Sequence, residues 1–170
     1  PPMITAVANN ELEIADFAFS SLPIAILNAG IDDLRVISDE FQDGVEGRYS
    51  NEFFVLNDGP IKKIEDLKGK VIGIARLGSS SDVAARVLLR GLGLDPDKDV
   101  AIVQSGSGAE RVAAFRGGRI AGFPSPPGVI HLAKGIPHRV IITTADLPKS
   151  LPFPYASLTT TKSYLASHRE

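Results

Sequence analysis

Short apolar runs that favour β-strands alternate along this chain with segments of helical spacing. Two clear examples are the run KVIGIA (70–75), followed by a helical pattern at 82–92, and the run DVAIVQ (99–104), followed by a helical pattern at 109–116. A strand, a crossover helix and a second strand form a parallel pair, and several such units in succession build an α/β sheet. The alternation therefore predicts an α/β fold with parallel strand pairing.

The same alternation extends towards both ends of the chain. Further strands are predicted at 12–19, 34–41, 51–56, 119–123, 138–144 and 156–161, and further helices at 22–28, 61–69, 128–134 and from 162 onwards. The chain opens close to a buried-type strand and stops within a short helix. We therefore expect native sequence to be missing at both ends.

Composition narrows the classes of function. The 170 residues suffice for one domain or two small lobes. The lack of cysteine excludes disulfides, cysteine-bound zinc and thiol catalysis, and a net charge of −2 without a basic block argues against nucleic-acid binding. No apolar run reaches the roughly 18 residues of a membrane span. The N-terminus has no basic and apolar regions typical of a signal peptide, so we expect any export signal to lie outside this chain.

Three predicted strands end in serine-rich segments that lead into a helix. Ser20 and Ser21 follow the first strand, the segment 78–81 (GSSS) follows KVIGIA, and the segment 105–108 (SGSG) follows DVAIVQ. Ligands of open α/β sheets bind beyond the carboxyl ends of the strands. Helix starts there present free amides and a positive dipole end, which suit small polar or anionic ligands.

Helix capping explains the same serines without a ligand. Ser79 with Asp82, and Ser107 with Glu110, have the spacing of capping boxes, in which a hydroxyl and an acid satisfy the backbone amides at the start of a helix. Asp82 would also weaken the positive field that attracts an anion. Capping and ligand contact therefore both remain open for these loops.

The segment GFPSPPGV (122–129) is a fourth candidate with two interpretations. Its prolines either end a strand or form a rigid wall that presents Ser125 to a crevice. No nucleophile elbow or Walker loop is present, and the glycine fragment at 105–108 lacks the third glycine of a dinucleotide fingerprint, because Arg111 occupies that position. The three histidines have no metal-ligand spacing. The sequence thus predicts no catalytic residue, metal site or cofactor.

Two long segments resemble a known family. The segment IEDLKGKVIGIARLGSSSDVAARVLLRGLGLDPDKDVAIVQSGSGAERVAAFRGGRIAGFPSPP (64–127) resembles the second lobe of NitT/TauT-type substrate-binding proteins of ABC transporters, which bind nitrate, sulfonates, taurine and thiamine precursors. The segment LEIADFAFSSLPIAILNAG (12–30) resembles part of their first lobe. Each motif is moderately specific for this family, and the order of the motifs along nearly the whole chain is more specific.

The resemblance implies the two-lobe α/β fold of type II periplasmic binding proteins, here incomplete at both ends. Lobe one would comprise residues 1–69 and 156–170, and lobe two residues 70–155. The hinges would lie near 56–70 and 156–161. Family members close these lobes over a ligand and are nearly twice as long as this chain.

The resemblance also implies a function and a set of contacts. The chain would be the binding component of an importer, capturing a small organic or oxyanionic nutrient and presenting it to a membrane permease. Because Arg76 is the only arginine in the candidate loops, we expect a neutral or singly charged ligand rather than a tightly held dianion. Its location would be periplasmic, or membrane-anchored outside the cytoplasm. By position, the ligand-binding residues would be Ser20, Ser21, Gly78, Ser79, Ser80, Ser81, Gly106, Ser107 and Ser125.

Two alternatives of other classes share this scaffold. One is an enzyme, either a thiamine-pyrimidine synthase or an enzyme of menaquinone synthesis, since a fold does not determine function. The iron-dependent pyrimidine synthases carry a cysteine-rich motif that this chain lacks. The other is the effector-sensing domain of a transcription regulator, for which no helix-turn-helix is visible.

Overall fold

The computed structural model describes residues 2–40, 43–47, 49–147 and 155–168. Contacts divide the chain into two compact units, Pro1–Gln42 with Pro154–Glu170 as the first and Asp43–Phe153 as the second. In chain order the α-helices and strands are α1 (Pro2–Ala8), β1 (Ala15–Ala18), α2 (Ser21–Ala29), β2 (Leu34–Asp39), β3 (Glu52–Leu56), β4 (Val71–Ile74), α3 (Ser80–Gly91), β5 (Ala101–Gln104), α4 (Gly108–Arg116), β6 (Gly122–Ser125), α5 (Pro127–Ile130), β7 (His138–Ile142), β8 (Ala156–Thr161) and α6 (Lys162–Ser167).

The first unit is built on a three-stranded sheet in the order β1-β8-β2. Both outer strands run antiparallel to β8. Helices α1 and α2 pack on the sheet through a small apolar core that includes Ile4, Val7, Phe17 and Leu22. Helix α2 ends at Gly30, whose φ of +65° is the left-handed C-cap conformation that glycine adopts without steric cost.

The second unit contains a five-stranded sheet in the order β5-β4-β6-β3-β7. The strands β4, β5 and β6 are parallel, and β3 runs antiparallel to both β6 and β7. The carboxyl ends of β4, β5, β6 and β7 therefore lie at one edge of the sheet, together with the amino end of β3. We call this the carboxyl edge.

Two apolar layers cover the opposite faces of the five-stranded sheet. On the first, Phe53 and Ile72 of the sheet pack with Leu88 of α3, and we call this the α3 face. On the second, Phe54 of the sheet packs with Phe115 of α4, and α5 also contributes; we call this the α4 face. The neighbouring residues Phe53 and Phe54 point to opposite faces, as side chains of a strand must.

The predicted fold class is confirmed, but the pairing is mixed rather than wholly parallel. The strands β3 and β8 run against their neighbours because each enters its sheet from the other unit, without the crossover helix that makes a parallel pair. The strand predicted at 12–19 is present as β1, but the chain does not open almost directly on it as expected. Helix α1 comes first, with Ile4 and Val7 on its buried side, and it is too short to show a clear helical period.

Some predicted boundaries also moved. The strand predicted at 119–123 is β6 at Gly122–Ser125, because Arg119 still bonds back to the end of α4 through its amide and the Ala114 carbonyl. The helix predicted at 61–69 is a single 3₁₀ turn at Ile64–Leu67.

The compact units differ from the predicted lobes in residues 43–69. These residues belong to the second unit because β3 pairs there with β6 and β7. The predicted hinge at 156–161 coincides with β8, the central strand of the first unit's sheet.

Candidate functional site

The carboxyl edge of the five-stranded sheet gathers the candidate residues of the second unit. The loop 75–79 follows β4, Gly106 and Ser107 follow β5, and β6 ends on Ser125. Adjacent strands β4 and β6 are followed by helices on opposite faces, α3 on one and α5 on the other. The gap between their carboxyl ends is therefore a topological switch point, the place where open α/β sheets bind ligands.

The serines after β4 bind the chain's own backbone. The Ser79 hydroxyl caps α3 by accepting from the Asp82 amide at 3.4 Å, and it donates to the Arg76 carbonyl at 2.7 Å. The Ser81 hydroxyl lies 3.0 Å from that of Ser79 and accepts from the Ala75 amide at 2.9 Å. Both serines are buried. Their hydroxyls thus fix the shape of the loop.

The Asp82 carboxylate occupies the start of α3. Its Oδ2 accepts from the Gly78 amide at 2.8 Å, and its Oδ1 accepts from Arg86 Nε at 2.8 Å. Gly78 has a φ of +76°, which turns its amide towards the helix. The half-buried Ser80 has no hydrogen-bond partner among the described residues, so its hydroxyl is the one in this loop that remains available for a ligand.

The loop after β5 closes a capping box. The Ser107 hydroxyl accepts from the Glu110 amide at 3.4 Å, and the Ser107 amide donates to Glu110 Oε2 at 2.7 Å. This amide and then the hydroxyl hold the pKa of Glu110 below its ordinary value. Gly106 donates its amide to the Ala75 carbonyl at 3.2 Å, which joins this loop to the one after β4.

The end of β6 carries a buried hydroxyl without a partner. Ser125 is 0% exposed, and its Oγ makes no hydrogen bond with any described residue. An unsatisfied buried hydroxyl costs about 1–3 kcal/mol, so a ligand oxygen or a bound water at this position would recover that free energy. Ser125 is thus the candidate residue whose environment most directly favours contact with a ligand.

A positive charge is buried at the end of β6, against the residue that precedes Ser125. Arg111 of α4 is 5% exposed, donates from Nη1 to the Pro124 carbonyl at 2.9 Å and lies 5.7 Å from the centre of the Phe123 ring. On the partner strand, Glu52 is directly opposite Ser125, and burial raises the pKa of its carboxyl. Arg76 is the only arginine within the candidate loops, but folding also brings Arg111 from α4 to the end of β6.

A second buried polar cluster at this edge was not identified from the sequence. Asp43 accepts from the Ser50 amide at 2.6 Å and from the Thr144 hydroxyl at 2.5 Å. Asn51 donates to the Ser50 hydroxyl at 3.2 Å, while its buried Oδ1 has no partner among the described residues. The available signal was the placement of Ser50 and Asn51 immediately before one apolar strand and of Thr144 shortly after another.

Ser20 and Ser21 belong to the first unit. Ser20 precedes α2 at its N-cap, and Ser21 is the first residue of that helix and is 4% exposed. Both follow the carboxyl end of β1, as expected from the sequence. Their contact with a ligand stays a prediction.

The described residues contain no group of three or more His, Cys, Asp or Glu side chains arranged to hold a metal ion. Among the helices of the described ranges, none has both the length and the apolar character needed to cross a membrane.

The chain thus has two α/β units, and the sheet of one unit has a polar switch point at its carboxyl edge. This combination is typical of periplasmic binding folds. A family model described as "ABC transporter, phosphonate, periplasmic substrate-binding protein" matches residues 1–151. The chain belongs to this family, which confirms the predicted relationship to the substrate-binding proteins of ABC transporters. No curated protein matches the chain.

Solved structures support the same fold. The periplasmic aliphatic sulphonate binding protein SsuA from Escherichia coli is similar with a TM-score of 0.76 and 22% identity, over 98% of this chain and 53% of that one. The alkanesulfonate-binding protein SsuA from Xanthomonas axonopodis pv. citri, bound to MOPS, has a TM-score of 0.67 and 18% identity, over 97% and 53%. The chain thus spans about half the length of these structures.

Proposed function

We propose that this chain provides part of the substrate-binding component of an ABC importer. It captures a small organic oxyanion at the carboxyl edge of the five-stranded sheet and presents it to a membrane permease. Ligand capture takes place outside the cytoplasm, by a protein that is either periplasmic or anchored to the membrane. Membership of the family supports the role in transport, and the buried, unpartnered Ser125 hydroxyl is the observation that supports the location of the site.

The charges at this edge favour a singly charged ligand. The buried guanidinium of Arg111 supplies a positive potential at the end of β6. Asp82 sets a negative charge at the start of α3, and the Glu52 carboxyl, whose pKa burial raises, lies on the strand opposite Ser125. Both acids oppose a second negative charge on the ligand. A sulfonate, or a phosphonate in its singly ionised form, satisfies both conditions. The ligands printed in the names of the family and of two similar structures belong to this class.

The residues at this edge divide into two roles in this proposal. Ser125 and Ser80 provide hydroxyls to the ligand because neither has a partner among the described residues. Ser79, Ser81 and Ser107 hold the loops in place through their backbone bonds. From the first unit, the predicted contacts Ser20 and Ser21 are retained as part of the proposal.

The chain binds its ligand without changing it. The proposal therefore assigns no nucleophile and no general base. The test is a thermal-shift panel of ethanesulfonate, methylphosphonate, nitrate, acetate and a pyrimidine. A compound at 100 times its Kd stabilises the folded chain by about 2.7 kcal/mol, which raises Tm by roughly 5–10 °C at this chain length. Recovery of the chemically unchanged compound supports binding, whereas turnover supports an enzyme and overturns the proposal.

Ser125→Ala separates a ligand contact from a structural role. Removing an unsatisfied buried hydroxyl leaves stability unchanged or raises it by up to about 1 kcal/mol. The same substitution weakens the affinity for the oxyanion about tenfold, or about 1.4 kcal/mol. Ser38→Ala is the matched control, since Ser38 is exposed in β2 of the first unit and donates only to the Asp39 carbonyl. An affinity for the oxyanion that Ser125→Ala leaves unchanged contradicts the proposed site.

A further inference from the structure

A cavity lies on the α4 face of the five-stranded sheet, at the outer strand β5. Its volume is about 500 Å³. The apolar side chains of Val103, Ala114 and Ile120 line its walls, and Glu110 and Arg119 bring opposite charges to it. Gly106 is the one predicted ligand-binding residue that reaches it.

The path of α4 explains this cavity. The helix leaves β5 and crosses β4 to reach β6, so the α4 face of the edge strand is covered on one side only. Gly73 in β4 lacks a side chain, and a Cβ there would lie 2.5 Å from Ile120 Cδ1 and 3.1 Å from Ser105 Oγ. The side chains of Ile120 and Ser105 therefore pack over Gly73, and both line the cavity.

The two charges come from residues at opposite ends of α4. Glu110 is in the first turn of α4, one turn or about 6 Å before Ala114. Arg119 follows the end of the helix, and its amide donates to the Ala114 carbonyl. Along the chain, Ala114 thus lies between the residues that carry the two charges.

Both charges are available to a ligand. The Ser107 amide holds the pKa of Glu110 below its ordinary value, so this carboxyl is ionised at neutral pH. One carboxylate oxygen accepts from that amide and caps α4, and the other oxygen points away from this hydrogen bond. The exposed Arg119 side chain makes no hydrogen bond or ion pair with any described residue, and its guanidinium is always charged. Gln104 uses its carbonyl to accept from the Leu77 amide, which leaves its amide group as a further donor.

We propose that this cavity is a second binding site, for a small elongated zwitterion such as an aliphatic ω-amino acid. The ammonium group pairs with Glu110, the acid group pairs with Arg119, and the methylene chain packs on Val103, Ala114 and Ile120. The site is separate from the oxyanion site at the end of β6, and one chain can hold both ligands. Because side chains of both signs line the cavity, the proposed ligand carries a charge of each sign.

Amide chemical shifts of the uniformly ¹⁵N-labelled chain test this proposal during titration with 6-aminohexanoate. Shifts at 103–106, 110, 114 and 119–120, with none at 78–81 or 125, support the second site. Hexanoate and hexylamine each retain one charge and bind at least tenfold more weakly than the zwitterion. Shifts centred on 78–81 and 125 place the compound at the oxyanion site and overturn the proposal, as does equal binding of the three compounds.

Two substitutions assign the charges. Arg119→Gln weakens 6-aminohexanoate at least tenfold, while Arg116→Gln, a neighbouring exposed arginine outside the cavity, leaves its affinity unchanged. Glu110→Gln removes the charge and keeps the cap, because glutamine also closes a capping box, and it weakens the zwitterion to the level of hexanoate. Unchanged affinity in either cavity variant overturns the proposal. Ethanesulfonate binding, measured in the same variants, stays at the wild-type value and so distinguishes this site from the oxyanion site.

Discussion

Gly106 packs so closely against Glu110 that a Cβ on the glycine would overlap the carboxylate and lie 2.9 Å from its Cδ. This is the carboxylate that closes the capping box of α4. Gly106 also has a φ of +77°, a left-handed backbone conformation that residues other than glycine adopt only at a cost in free energy. Glycine is therefore favoured at this position for two reasons: the left-handed backbone, and the capping carboxylate that an added Cβ would displace.

We therefore expect Gly106→Ala to destabilise the chain more than strain alone predicts. Gly118→Ala is the matched control, since Gly118 has a φ of +68° and nothing within 4 Å of the added Cβ. The control loses roughly 1–2 kcal/mol from the left-handed conformation. Gly106→Ala loses about twice as much because it also opens the helix cap. Urea denaturation measures both, and equal losses would show that the contact with Glu110 is not important.

Acid stability depends in part on Asp66. Its Oδ2 accepts from the Lys62 amide at 2.8 Å and from the Lys63 amide at 3.1 Å. These two amides, the first above all, hold the pKa of Asp66 below its ordinary value. A carboxyl with a lowered pKa in the folded state stabilises that state above its unfolded pKa, and this contribution disappears as pH falls through the folded pKa.

We expect Asp66→Asn to lower the free energy of unfolding at pH 7 and to have a progressively smaller effect in acid. The wild type and the variant converge as pH falls below about 3.9, the ordinary pKa of aspartate, and through the lower pKa of the folded state. Urea denaturation from pH 7 to pH 2.5 measures the difference. A difference that stays constant across this range would mean that the charge of Asp66 does not contribute to stability.

The sequence was sufficient to predict what depends on local pattern. The capping box at Ser107 formed, and Gly30 ended α2, because each depends on residues within one or two turns. The box predicted at Ser79 formed only in part: the Ser79 hydroxyl caps α3, but the Asp82 carboxylate accepts from the Gly78 amide, because the Ser79 amide donates to the Arg76 carbonyl. The polar ends of β4, β5 and β6 also reached one edge, because a parallel sheet gives its strands a common direction.

The features that it missed depend on contacts between distant segments. The pair Asp43 and Thr144 is separated by 101 residues, and nothing local to either one indicates the other. Arg111 lies within an ordinary helix, and only the position of α4 against β6 brings its guanidinium to the Pro124 carbonyl. Local reasoning likewise identified Ser125 as a candidate but could not show that its hydroxyl would be buried without a partner.

Asp82 connects stability with ligand binding at the start of α3. It is 6% exposed and accepts from both the Gly78 amide and Arg86 Nε. Asp82→Asn loses the charge and one of the two acceptor positions, so we expect a loss of about 1–3 kcal/mol in urea denaturation. Asp97→Asn is the matched control, because Asp97 pairs with the same Arg86 but is exposed, and surface pairs contribute little.

The same substitution has the opposite effect on the proposed oxyanion. Removing the negative charge at the start of α3 leaves the helix dipole unopposed there, so the affinity for a singly charged sulfonate rises a fewfold. Calorimetric titration measures this gain, which changes little as salt is added because Asp82 is buried and salt screens buried charges weakly. Asp97→Asn leaves the affinity unchanged. If Asp82→Asn weakens binding while the chain remains folded, the ligand does not lie in the field of α3, and the site must be placed closer to Arg111.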